Sequence, residues 1–205
     1  MNKLTKGLLG ASVAIAVFMA ALPTVLHKAG LHPEYTGHVT TLPAGKRALV
    51  ITTSHGFLSM PGETEGKASG VMASEMTHPY YNFLDAGMEV DVASIKGGQI
   101  PVDPQTLSFV IRSPDDVRFM EDSVLLEKVK NSLRIDDVDF KQYDAIFIAG
   151  GWGAAYDLGQ SKVLGQKISE AFYSEKSPVM GSVCHGALGF IQAKGKDGKL
   201  LIAGR

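Results

Sequence analysis

Apolar residues fall into three kinds of run along this chain, and each predicts a different element. Gly7 to Leu26 carries no charge and is rich in Leu, Ala, Val and Ile; at ~1.5 Å per residue, a helix of ~20 residues just spans a bilayer core. Short β-branched runs follow at Arg47 to Thr53, Met88 to Ser94, Tyr143 to Ala149 and Pro178 to Val183. They are nearly continuous, as in buried strands covered on both faces. Between them apolar residues recur at helical spacing through Val71, Met76, Tyr80, Phe83 and Leu84, around Ser123 to Asn131, and through Val163, Leu164, Ile168 and Phe172. Pro79 should kink or restart the first of these helices, and Gly87 caps it. Strand alternating with helix predicts a doubly wound α/β fold, a mainly parallel sheet flanked by helices.

The same pattern divides the chain. Residues 1–27 read as a signal anchor, a single transmembrane helix; residues 28–46, with Pro33, Pro43 and three glycines and no periodicity, as a tether; residues 47–205 as the α/β domain. Lys3 and Lys6 ahead of the apolar run outnumber Lys28 just behind it, which points to an extracytoplasmic domain on a single-pass membrane protein. A cleaved signal peptide is the rival reading, but the run exceeds a usual signal core and Ala14-Ile-Ala16 lies in its middle. Lys96 to Pro114, with three prolines, reads as a turn-rich excursion, and the acidic Ile135 to Asp139 as a solvated connection.

Composition removes several functions. A net charge of −1 with no basic run excludes the electrostatic footprint of a nucleic-acid binder. A single cysteine excludes an internal disulfide and a cysteine-based zinc site, and the histidines form no paired ligand motif, so no metal is expected. Gly150-Gly-Trp-Gly153 lacks the last glycine and the following acid of a dinucleotide fingerprint, so no cofactor is expected either.

The chemistry concentrates at Gly181-Ser-Val-Cys-His-Gly186, where a strand runs into a helix with the cysteine at the corner. Small residues on both sides allow a nucleophile elbow, in which Cys184 stands off the sheet and the His185 N–H can hold an oxyanion. The start of the helix favours a thiolate. A cysteine packed in the core is the alternative. The glycines after the strand ending at Ala149 let Gly151 or Trp152 supply a second oxyanion donor. Glu75 can shuttle protons if it reaches the thiol, and is otherwise a solvated helix residue. Ser54 and His55 lie at the carboxyl end of the first strand, where open α/β sheets place their sites, and His78 on the helix that follows is a further pocket candidate. His55, His78 and His185 are candidate bases.

Taken together, Ala48 to His55, Ser74-Glu-Met-Thr-His-Pro-Tyr80, Asp91 to Gly98, Ala149 to Asp157 and Val183-Cys-His-Gly186 resemble the ThiJ/PfpI superfamily, of class I glutamine-amidotransferase-like fold. The resemblance is to its branch of heat-shock glyoxalases, chaperones and amidase-like proteins. It implies Cys184 as nucleophile, His185 as base, Glu75 as an acid hydrogen-bonded to the thiol, and Gly151 with Trp152 as the oxyanion loop. Trp152 departs from the histidine often found there. Lys199 to Arg205 looks like a hairpin that family members follow with an acidic third triad residue and further strands; these are missing, which implies either a fragment or a truncated paralogue without the acid that orients His185, and an exposed apolar sheet face or edge that favours instability or association as a homodimer.

The resulting expectation is a membrane-anchored, cysteine-dependent enzyme attacking a small carbonyl or amide, of glyoxalase or amidase type. A non-catalytic chaperone or redox sensor is the alternative, and a glutaminase a weaker one.

Overall fold

A computed structural model describes residues 3–32, 37, 41–60 and 62–204, without side chains at 3, 4 and 6. Pro33 of the predicted tether, with residues 34–36 and 38–40, and Arg205 at the end of the expected hairpin, lie outside the described residues.

The apolar N-terminal run forms one helix, α1 (Lys3–Lys28). Its Gly7–Lys28 segment has a mean hydropathy of 2.2 and no part buried against the rest of the chain, so it is long and apolar enough to cross a membrane. The domain then runs through β1 (Arg47–Thr52), a small hairpin of β2 (Phe57–Leu58) and β3 (Lys67–Ala68), α2 (Ala73–Asp85) and β4 (Glu89–Ser94). It continues through α3 (Pro114–Glu121), α4 (Ser123–Lys130), β5 (Leu133–Arg134), β6 (Ala145–Ile148), the short α5 (Ala154–Asp157), α6 (Lys162–Phe172) and β7 (Val179–Ser182). A 3-10 helix, Cys184–Phe190, follows the last strand.

Five strands pair in the order β5-β4-β1-β6-β7, every pairing parallel. The central strand shows why. Leu49 and Ile51 point into a layer with Ile146, Ile148, Leu164 and Ile168 under α6, whereas Ala48 and Val50 point into one with Met76, Tyr80, Val92 and Leu125 under α2 and α4. Each such side chain contributes about 1.5–3 kcal/mol when buried, so a strand apolar on both faces belongs at the centre of a covered sheet. Chain order reverses at β1, between β4 and β6, and this opens a crevice at the carboxyl ends of β1 and β6.

Several expectations need correction. β7 is not a buried strand but the edge of the sheet, and Val179 is 77% exposed. The turn after Cys184 enters a 3-10 helix rather than an α-helix. Pro79 lies inside one uninterrupted α2. The excursion after Lys96 ends in an unforeseen helix, α3: Ser113 caps it by accepting from Asp116 N while the Asp116 side chain accepts from Ser113 N, with Pro114 in the first turn. The acidic connection is only partly solvated, because Ile135 and Val138 are buried in the core. The expected C-terminal hairpin is reduced to a single bridge between Lys194 and Leu200.

Candidate active site

β7 and the 3-10 helix meet at Cys184, whose φ of +52° is left-handed. A non-glycine residue pays for that conformation with about 1–2 kcal/mol, so the surrounding packing must impose it. Gly186 supplies the constraint: a Cβ there would come within 2.1 Å of Ile148 O, so the chain is pressed against the end of β6. Gly186 N also donates to Val183 O at 2.8 Å, closing the turn around the cysteine. The outcome is an exposed thiol, not one packed in the core, with Sγ 3.3 Å from His185 Nδ1.

The second wall comes from the glycines after β6. Gly151 has a φ of +90°, and a Cβ there would lie 2.3 Å from Met72 N and 2.5 Å from Gly70 O. Gly153 N donates to Gly70 O at 3.1 Å. This loop is therefore locked against the residues that enter α2, and α2 carries Glu75 in its first turn. A Cβ on Gly150 would meet Glu75 Oε2 at 2.6 Å and His185 N at 2.8 Å, so the carboxyl, the glycine loop and the cysteine corner share one small volume.

Burial pushes the Glu75 carboxyl above the usual carboxylate range, opposed by the Cys184 thiol, the Gly150 N–H, the His185 ring and the Gly151 N–H. Oε2 is buried with no partner in full hydrogen-bond geometry, and the thiol and the two amides stand beside the carboxyl. A carboxyl so placed takes its proton more readily than one in water. The Trp152 ring, 58% exposed, tilts over His185 at 5.0 Å between centroids. Together these groups line a cavity of about 280 Å³ completed by Met72, Asp103, Gln105 and Thr106.

Cys184, His185, Glu75, Gly151 and Trp152 are thus brought together, while Ser54, His55 and His78 are not among the residues lining the cavity. Ser54 is a strut, its Oγ accepting from Lys96 N and its N–H donating to Asp157. His55 stacks on Tyr156 with ring centroids 4.1 Å apart and bonds Phe57 O through Nε2 at 2.7 Å. His78 faces away, 3.8 Å from Asp115 and edge-on to His32. Among the described residues no cluster of three or more His, Cys, Asp or Glu could hold a metal ion. Nothing in the sequence singles out Met72, Asp103, Gln105 or Thr106 for this cavity. Asp103-Pro-Gln-Thr106 carries a turn signal, but no spacing rule brings that turn to α2.

Comparison with known proteins identifies the family. A family model described as the DJ-1/PfpI family matches residues 67–202. Glyoxalase 3 of Candida albicans is 32% identical over 146 residues, covering 69% of this chain and 60% of that protein. Glutathione-independent glyoxalase hsp3101 of Schizosaccharomyces pombe is 29% identical over 168 residues, covering 78% and 65%. Among solved structures, the Rapid Encystment Protein 24 kDa of Francisella tularensis superposes with a TM-score of 0.67 at 34% identity, covering 77% of this chain and 66% of that one. Glyoxalase III of Candida albicans gives 0.65 at 26% identity, covering 77% and 64%. The chain therefore spans under two thirds of the full length of each of these four proteins.

Proposed function

Because this chain belongs to the DJ-1/PfpI family, we propose that it is a glyoxalase-type enzyme that uses Cys184 to convert small 1,2-dicarbonyl compounds without glutathione. The observation that carries the reading is the exposed, left-handed Cys184 with His185 Nδ1 at 3.3 Å and the Glu75 carboxyl, its Oε2 buried, beside the thiol. Two relatives named as glyoxalases support the choice of substrate class.

The chemistry assigns each group a task. His185 takes the thiol proton as Cys184 Sγ adds to the aldehyde carbon, and the carbonyl electron pair moves to oxygen, which then takes that proton from His185. Backbone N–H groups of His185 and of the Gly151-Trp152 loop hold that oxygen while it is charged. Glu75 then takes the proton from the attacked carbon and returns it to the neighbouring carbonyl carbon, while His185 takes the hydroxyl proton from the attacked carbon's oxygen and delivers it to the neighbouring oxygen. One carbon is oxidised and the next reduced, giving a 2-hydroxy thioester with no external oxidant. Water cleaves the thioester, releasing a 2-hydroxy acid and the free thiol. Among the described residues the cavity wall carries no lysine or arginine, which suits a small neutral substrate. We read α1 as the membrane anchor of this site, with the domain on the extracytoplasmic side.

The test is product analysis. The full chain in detergent is given glyoxal without glutathione and, separately, simple amides. Glycolate from glyoxal and no ammonia from the amides is the expected result; ammonia release with no glycolate would overturn the assignment.

A further inference from the structure

α2 begins without a cap of its own. Met72 stands at its N-cap and makes no side-chain cap bond. The Ala73 N–H instead donates to Thr106 Oγ1 at 3.1 Å, 33 residues further along the chain. Thr106 can accept there because its own hydroxyl proton goes to Asp103 O at 2.6 Å. Asp103, only 3% exposed, fixes the turn: its Oδ2 accepts from Ser69 Oγ at 2.9 Å and its Oδ1 from Gln105 N at 2.9 Å. Its N–H donates to Val71 O at 2.9 Å, so the turn grips the strand of chain that leads into α2. Glu75 follows two residues after Ala73.

We propose that Asp103 and Thr106 are positioning residues for Glu75: their turn caps α2 from outside and so sets where the carboxyl meets the Cys184 thiol. This rests on the reading of Cys184 and Glu75 as the reacting pair. A cap built into the helix itself would hold the helix equally well. A cap delivered from the cavity wall ties the start of α2, and Glu75 with it, to the surface that faces the substrate. Neither residue makes a hydrogen bond to the thiol.

The pH dependence of Cys184 alkylation by iodoacetamide, measured on the full chain in detergent, tests this. Glu75→Leu gives the reference profile for a site lacking its carboxyl. Thr106→Val should move the profile toward that reference and slow alkylation at neutral pH by roughly two- to ten-fold, the span of one lost hydrogen bond. Thr106→Ser, which keeps the hydroxyl, should restore the parent profile, and Thr106→Val added to Glu75→Leu should change it no further. Asp103→Asn decides on the same terms if Thr106→Val does not fold. A Thr106→Val profile superimposed on the parent, with Glu75→Leu clearly shifted, overturns the positioning role. An unshifted Glu75→Leu profile overturns the underlying pair as well.

Discussion

Cys184 shows how a single residue is held in a conformation it does not favour. Gly186 cannot yield, because any Cβ there runs into Ile148 O, so the bend falls on the cysteine. Replacing it separates strain from chemistry. Cys184→Gly should be more stable than Cys184→Ala by about 1 kcal/mol in urea unfolding, since only glycine adopts a positive φ freely; equal midpoints would argue against strain. Gly150→Ala should cost about 1–3 kcal/mol and most of the turnover, because its Cβ would lie 2.8 Å from both His185 N and Val183 O, which are backbone. Glu75 adds a pH signature. Its folded pKa is raised above 4.5, so the stability it contributes is complete below that value and is lost as pH rises through the folded pKa. Glu75→Gln should therefore gain stability relative to the parent as pH rises from acid to neutral, read from denaturant melts at each pH. At this scale the sequence was informative about Cys184, His185 and the glycine loop, whose chemistry is local. It was silent on Asp103 and Thr106, whose meaning depends on a contact across 33 residues.

At the scale of elements, β1 and its neighbours were legible because a strand buried on both faces must be apolar at every position. β7 is the opposite case: Val179 and Met180 read as interior, yet among the described residues β7 has a neighbour on one side only. α3 does not stand out in the sequence although Ser113, Pro114 and Asp116 spell a helix start, because the surrounding prolines read as turns. One clamp ties three of these pieces together. Asp144, just before β6, accepts from Lys46 Nζ at 2.8 Å and Arg47 N at 2.9 Å, and pairs with Lys176 Nζ at 2.9 Å. Burial alone would raise its pKa, but these partners outweigh burial and hold the carboxyl well below the usual carboxylate range. A depressed folded pKa means that the stability is present above the unfolded value and is lost as pH falls through the folded one. Asp144→Asn should then lose about 2 kcal/mol at neutral pH and progressively less in acid; a loss independent of pH would contradict the clamp.

For the whole molecule, the arrangement joins an apolar helix open along its length to an α/β layer whose crevice carries the thiol. If α1 anchors the domain, the full chain should stay with membranes through an alkaline carbonate wash, and removal of residues 1–28 should release it; recovery of the full chain in the wash would dismiss the anchor. Length alone made this helix readable, while the tether behind it offers no periodicity to read. The central claim is that Cys184 is the nucleophile of a glutathione-independent glyoxalase-type reaction, and the most direct measurement is glyoxal consumption by the full chain and by Cys184→Ala under identical conditions. The account predicts turnover in the first and none above the buffer rate in the second; equal rates in both would contradict it.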